Sequence, residues 1–220
     1  MVSHFLCILL VGFLVYIAQP GSSLFSWHPT LMSVAFGLLL FQGVLSFNRQ
    51  SSLFAGNRER QTTAHALLNW AALGASLTGG YFVWRSKEEK GRPHLTSWHS
   101  WIGALCNIYL LLQCIGGVCT RLKLGGVRPA DMKLYHATSG TFMFTCACAA
   151  LASGMWSDWF SKQVTGTAWY ACFVSAFMLG SIVCKQVCDH YLPKLTAQQG
   201  RAEAASGKPS GRPARAKKEK

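Results

Sequence analysis

The sequence predicts an all-α integral membrane protein, a single bundle of six transmembrane helices. Half of the 220 residues are apolar, and only 13% are Asp, Glu, Lys or Arg. An ordinary soluble domain has about 25% charged residues. No ionised side chain lies within 62–83, 95–119 or 135–156. Apolar stretches of about 18 or more residues without charge are typical of membrane-spanning helices.

The predicted spans follow one another closely along the chain and cover about 2–19, 29–47, 62–84, 98–120, 134–156 and 166–188. The first is short and could be a signal peptide, but it has neither a basic start nor a small-residue cleavage site. We therefore interpret it as a spanning helix. Short turns such as Gly125-Gly126 join the spans. One membrane domain is predicted over 1–195, followed by a disordered basic cytoplasmic tail over 196–220.

The positive charge is unevenly distributed over the predicted connections. The net charge is +13, and 16 of the 21 Lys and Arg residues lie on the side that holds both termini. The positive-inside rule therefore predicts that both termini are cytoplasmic. A basic tail beside a membrane span favours binding to anionic lipid head groups rather than to nucleic acid.

Four histidines lie near the N-terminal ends of four consecutive predicted spans: His28, His65, His99 and His136. Ionisable residues inside a membrane are costly and are usually functional. Because successive spans alternate in direction, His28 and His99 are expected at the non-cytoplasmic face. His65 and His136 are expected at the cytoplasmic face. Two neutral imidazoles can occupy both axial positions of a haem iron, so the pattern predicts two haem sites that carry electrons.

Glycines recur on the same helix faces as two of these histidines. Eighteen residues complete five helical turns and rise about 27 Å, and at that spacing Gly117 follows His99 and Gly154 follows His136. Two further glycines lie about one turn beyond the same histidines: Gly103 and Gly140. We expect these glycines to let a flat macrocycle approach the backbone at both haem levels. The alternative is that they mediate helix packing.

Several long motifs resemble those of the cytochrome b561 family, in particular its short cytochrome b561 domain-containing members. They occupy residues 20–29 (PGSSLFSWHP), 94–103 (HLTSWHSWIG), 133–140 (KLYHATSG) and 166–170 (GTAWY). The resemblance extends over about residues 10–195. It implies two haem b groups among the inner four helices, with His28 paired with His99 and His65 paired with His136. It also implies ascorbate as the cytoplasmic electron donor, with monodehydroascorbate or a ferric chelate as the acceptor.

Candidate substrate-binding residues follow from charge and position. Ascorbate is an anion, so its site is expected to be electropositive. Lys133, three residues before His136, is the first candidate, with Arg121 and Lys123 as secondary ones. On the opposite side, His94 is expected to bind the acceptor or exchange a proton with it. The alternative is that these residues only contact lipid and solvent. A homodimer in the endoplasmic reticulum or a vesicle membrane is a further expectation.

A different class of function is a transporter whose intramembrane histidines relay protons or bind a metal. That class predicts acidic partners for the histidines inside the spans, and the uncharged stretches contain none. A haem protein that only anchors or regulates a partner is a second alternative. A measurement of catalytic turnover distinguishes that alternative from an oxidoreductase.

Overall fold

The computed structural model describes residues 2–48 and 56–205, and for 202–205 it describes the backbone alone. Its secondary structure is entirely helical over those residues. The helices, in chain order, are α1 (Val2–Ala18), α2 (Trp27–Leu45), α3 (Arg58–Glu89), α4 (Trp98–Leu122), α5 (Pro129–Gly154), the short α6 (Asp158–Gln163) and α7 (Gly166–Ala205). The middle of α2, Ser33–Leu40, is π-helical.

Local capping signals explain where three of the helices begin. The Asn57 side chain accepts hydrogen bonds from two amides in the first turn of α3. Ser97 and Ser100 form a reciprocal capping box at the start of α4. Pro129 occupies the first turn of α5, where a backbone N–H would have no partner within the helix and its absence in proline costs nothing. At the other end of α4, Lys123 adopts the left-handed conformation (φ 58°) that usually favours glycine.

Each of the six predicted spans coincides with a helix. Within the described residues, three segments are long and apolar enough to cross a membrane: Trp27–Leu45, Trp98–Leu122 and Gly166–Arg201. Helix α1 is apolar but has only 17 residues. Helices α3 and α5 contain many Ser, Thr, Gly and Ala residues, which lower their mean hydropathy. The all-helical membrane class is therefore supported, while the number of six spans stays a prediction.

The sequence predicts disorder from residue 196, whereas the structure has residues 196–205 in a helix. Helix α7 continues without a break to Ala205. Extending an existing helix requires no new nucleation, and this stretch is rich in Ala and Gln, which have high helix propensity. Residues 206–220, the rest of the predicted basic tail, lie outside the described residues.

The helices pack as two pairs with supporting helices around them. Helix α2 packs on α3 and α4 packs on α5, while α7 covers α5 and α1 lies against the π-helical part of α2. The buried core contains residues such as Phe41, Leu110, Phe144 and Leu179. Large apolar side chains are also exposed along the outside of the bundle. Exposed apolar side chains in such number are expected of helices that face lipid rather than water.

Candidate functional site

Two pairs of histidines face each other inside the bundle. The rings of His28 on α2 and His99 on α4 have centroids 6.1 Å apart and planes at 89°. The rings of His65 on α3 and His136 on α5 have centroids 6.1 Å apart and planes at 83°. With metal–nitrogen bonds of about 2 Å, two imidazoles on opposite sides of one ion have centroids about 6 Å apart. Each pair is therefore spaced for one shared metal ion.

The His28 and His99 rings are oriented by backbone carbonyls of neighbouring helices. His28 Nδ1 lies 3.1 Å from the Gly79 carbonyl oxygen, and His99 Nδ1 lies 2.8 Å from the Ala150 carbonyl oxygen. A carbonyl can only accept a hydrogen bond, so Nδ1 carries the proton in both rings. Nε2 is then left unprotonated. Orientation of this kind fixes the tautomer of metal-binding histidines and increases their basicity.

His65 has the same tautomer, but its surroundings are different. Its Nδ1 donates to the Gly43 carbonyl oxygen at 2.9 Å. Its Nε2 accepts a hydrogen bond from Asn69 Nδ2 at 3.0 Å, so this nitrogen presents the electron pair that a metal would take. For His136, the described residues provide no hydrogen-bond partner to the ring.

Two of the predicted glycines lie directly against these rings. A methyl group at Gly154 would lie 3.0 Å from His99 Cε1, and one at Gly117 would lie 3.4 Å from His136 Cε1. A side chain at Gly154 would therefore crowd the His99 ring of the neighbouring helix, whereas a methyl group at Gly117 would make only an ordinary contact with His136. At Gly140 a methyl group would contact Gln113 Oε1 at 3.4 Å, whereas at Gly103 it would meet no atom within 4 Å. The structure thus gives a packing reason for glycine at Gly154, but not at Gly117, Gly140 or Gly103.

The set of donor groups fits a metal held by a macrocycle better than a metal held by protein ligands alone. In the part of the chain that the structure describes, no group of three or more His, Cys, Asp or Glu residues is placed to hold an ion. A structural or catalytic zinc site needs at least three such ligands. Two opposed imidazoles are instead the axial ligand set of a haem.

Polar atoms in the bundle interior also fit a bound group. The side-chain oxygens of Asn69, Asn107 and Gln113 are buried and have no hydrogen-bond partner in the described structure. Native proteins rarely leave such atoms unsatisfied without a ligand or water to contact them. Asn69 contacts His65, and Gln113 donates to Ser139, three residues after His136. Both amides therefore lie close to the His65–His136 pair.

The predicted basic residues Arg121, Lys123 and Lys133 are all exposed. Arg121 lies in the last turn of α4, Lys123 on the connection that follows and Lys133 in the first two turns of α5, at the end of the bundle where α5 presents His136. Arg128 in the same connection is paired with Asp131 at 2.7 Å. The Asp131 carboxylate, through its hydrogen bonds, raises the pKa of Arg128. The structure does not bring any of these cations into contact with one of the four paired histidines.

His94 is held at the end of α3 by contacts that sequence reasoning missed. Its Nε2 lies 2.6 Å from Glu88 Oε1, and its ring stacks on Trp84 with centroids 6.1 Å apart. Lys87 Nζ donates to the neighbouring Pro93 carbonyl at 2.9 Å. Glu88 lies in the last turn of α3, six residues before His94, and only the folded turn shows that the two side chains are partners.

Other contacts inside the bundle were also missed. His4 carries no sequence signal, yet it is buried and its Nδ1 lies 2.8 Å from Gln42 Oε1. The carbonyl acceptors of three paired histidines, in Gly43, Gly79 and Ala150, could not be identified from the sequence because every residue has a carbonyl group.

The fold and the site define a helical membrane protein with two opposed histidine pairs. The family model for eukaryotic cytochrome b561 matches residues 27–161. The chain belongs to that family, so the resemblance seen in its motifs is confirmed. Family membership implies b-type haem as the cofactor, and the site residues fit it.

Curated relatives cover most of the chain. Transmembrane reductase CYB561D2 of Bos taurus is 39% identical over 193 residues, which cover 86% of this chain and 87% of the relative. Probable transmembrane reductase CYB561D1 of Mus musculus is 34% identical over 195 residues, 87% of this chain and 85% of the relative. Lysosomal membrane ascorbate-dependent ferrireductase CYB561A3 of Bos taurus is 27% identical over 157 residues, 70% and 59% respectively.

Proposed function

We propose that this protein is a transmembrane oxidoreductase with six spanning helices and two haem b groups. In this proposal it takes electrons from cytoplasmic ascorbate and delivers them to monodehydroascorbate or a ferric chelate on the opposite side. The names of its relatives and the geometry of the histidine pairs both support this proposal. Its relatives are named as transmembrane reductases, and one is named as an ascorbate-dependent ferrireductase.

The geometry of the two histidine pairs carries the proposal. Both pairs have ring centroids 6.1 Å apart. In three of the four rings, Nδ1 is bonded to a carbonyl oxygen, which directs an unprotonated Nε2 away from that helix. When bound between these pairs, haem supplies one-electron redox chemistry. His28 with His99, and His65 with His136, would hold these groups, and with both imidazoles of a pair engaged the site would favour electron transfer over oxygen binding.

The charged residues at the two ends of the bundle fit a donor and an acceptor side. Lys133, Arg121 and Lys123 are exposed near the His65–His136 pair and would attract an anionic donor. At the other end, an imidazole bonded to a carboxylate, His94 with Glu88, can exchange a proton with an acceptor as it is reduced. With ascorbate as a cytoplasmic donor, this assignment makes the side that holds both termini cytoplasmic. The resemblance to the family favours the endoplasmic reticulum or a vesicle as the membrane.

A transporter with a histidine relay is less well supported. Such a relay needs acidic groups beside the intramembrane histidines. The ligand histidines instead contact carbonyl and amide groups. In the described chain, the imidazole that contacts a carboxylate is His94, which lies between α3 and α4 rather than in a span.

Reconstitution into vesicles tests the proposed direction and substrates. Purified protein is inserted into liposomes loaded with ascorbate, and ferric citrate is added outside with a ferrous-specific dye. We expect haem reduction and ferrous iron outside, both dependent on internal ascorbate, while protein-free liposomes give neither. Reduced haem without any external reduction of ferric citrate or monodehydroascorbate would contradict transmembrane reductase activity.

A further inference from the structure

The carbonyl that orients His65 occupies an unusual place in its helix. Gly79, which accepts from His28, lies inside the long helix α3. Gly43, which accepts from His65, lies in the last turn of α2, two residues before that helix ends at Leu45. Carbonyl groups in the last turn of a helix have no amide partner four residues ahead within the helix. Their direction therefore depends on what holds the helix end.

The hydrogen bonds beyond Gly43 show that the helix tightens there. The Phe47 amide donates to the Val44 carbonyl at 3.3 Å, and the Asn48 amide donates to the Leu45 carbonyl at 2.9 Å. Both bonds reach back three residues instead of four. Because the Phe47 amide bonds to Val44, the Gly43 carbonyl receives no hydrogen bond from the amide four residues ahead. It accepts a hydrogen bond from His65 Nδ1–H instead. Any movement of this turn would change the hydrogen bond on a ligand imidazole.

A side chain of α7 holds this turn from outside. Gln186 Nε2 donates to the Val44 carbonyl at 2.9 Å, and Gln186 Oε1 accepts from Asn48 Nδ2 at 3.1 Å. The Gln186 carboxamide therefore bonds both to Val44, the residue after Gly43, and to Asn48, the last residue of the turn. On the other side, His4 of α1 contacts the Gln42 side chain. The supporting helices thus contact both chain neighbours of Gly43.

We propose that Gln186 is a positioning residue for His65. By holding Val44 and Asn48, it fixes the direction of the Gly43 carbonyl, and this carbonyl sets the strength of the hydrogen bond on His65 Nδ1. That bond in turn sets how strongly Nε2 donates electrons to a metal. The inference rests on the proposed function, in which His65 and His136 hold a haem. The His28–His99 pair has no contact with Gln186 and provides an internal reference.

The test compares Gln186→Met, which keeps the side-chain size but removes both hydrogen bonds, with Ser181→Ala. Ser181 is exposed on the same helix, and its hydroxyl bonds only to its own helix, at the Phe177 carbonyl. Redox titration followed by electron paramagnetic resonance measures the midpoint potential of each haem, and transfer to an excess of a haem-scavenging protein measures haem loss. A His65→Ala variant assigns the two signals.

We expect Gln186→Met to raise the midpoint potential of the haem at His65–His136, because a weaker Nδ1 bond makes the imidazole a poorer donor to ferric iron. Loss of that haem should be about tenfold faster, the lower end of the range for removing a partner of a metal-binding histidine. The His28–His99 haem and the Ser181→Ala variant should behave as wild type.

Equal shifts at both haems, or no shift at either, would overturn the positioning role, since a general packing defect acts on the whole bundle. If Gln186→Met does not fold, Asn48→Ala removes one of the same two bonds, and a smaller upward shift at the same haem alone is expected. An unchanged potential in a folded Asn48→Ala protein then contradicts the inference. Wild-type protein without haem would instead contradict the proposed function.

Discussion

The two histidine pairs have the same ring spacing but are held in different ways. At the His28–His99 pair, both Nδ1 atoms bond to carbonyl groups of neighbouring helices. At the His65–His136 pair, only His65 has such a bond, and its acceptor lies at a helix end. The two pairs therefore have the same ring spacing, but hydrogen bonds to backbone carbonyls orient both rings of the first pair and only one ring of the second. We infer that the first pair is fixed by the bundle itself and that the second depends on α1 and α7.

Removing a ligand histidine should have the largest effect. His99→Ala and His136→Ala should each lose one of two haems per chain. Transmembrane electron transfer should fall at least about 100-fold in both, because loss of even an outer-shell partner costs 10–100-fold. Haem content and ferric citrate reduction in liposomes measure the two effects. His190→Ala is the control, and loss of haem there, or two haems retained in either ligand variant, would contradict the assignment.

Adding a methyl group beside each pair should separate the two sites further. In Gly154→Ala the new methyl would lie 3.0 Å from His99, whereas in Gly117→Ala it would lie 3.4 Å from His136. Overpacking costs about 1–3 kcal/mol, so Gly154→Ala should lose haem from the His28–His99 pair several-fold to about 100-fold faster. Gly117→Ala should stay close to wild type. Equal haem-loss rates in the two variants would show that Gly154 has no special role.

Removing the Lys133 charge should act on the donor side alone. Lys133→Ala should raise the KM for ascorbate about threefold to tenfold, and the effect should shrink at high ionic strength because salt screens exposed charges. Lys185→Ala serves as the matched control, since that lysine is paired with Asp189. If the KM for ascorbate is unchanged in Lys133→Ala at low salt, Lys133 is not part of the donor site.

The smallest effect is expected at the end of α4. Lys123 has a left-handed backbone conformation with φ 58°, which glycine adopts without a steric penalty. Lys123→Gly should therefore stabilise the protein slightly, by up to about 1 kcal/mol, and raise the thermal midpoint in detergent. If Lys123 also contributes to ascorbate binding, KM rises in the same variant. A lower thermal midpoint would show that the lysine side chain makes stabilising contacts.

Much of the fold could be predicted from the sequence because the membrane imposes a simple rule on composition. The predicted spans were placed on long apolar stretches with little or no charge, and each of the six coincides with a helix in the structure. The end of α7 was predicted less well, since an Ala-rich polar segment can be helical or disordered and the preceding helix decides the outcome. The π-helical turn within α2 had no sequence signal, because its residues are ordinary apolar ones.

The candidate site was predictable only where it depends on residue type. Histidines at the starts of four consecutive spans indicated two pairs, since helix direction alone sorts them by face. Glycines at 18-residue spacing indicated Gly117 and Gly154. The carbonyl acceptor in Ala150 and the bonds of Gln186 could not be predicted, because they depend on how neighbouring helices are aligned. Gly103, predicted on the same grounds as Gly140, has no described contact that requires glycine.

Haem content and the absorption spectrum of the purified protein test the central claim most directly. The protein is produced in cells supplied with haem, and its spectrum in detergent is recorded before and after ascorbate is added. We predict about two b-type haems per chain, low-spin spectra from paired histidine ligands at both sites, and rapid partial reduction by ascorbate. A protein without haem, or one with a single haem that is lost in both His99→Ala and His136→Ala, would contradict the account of two histidine-paired sites.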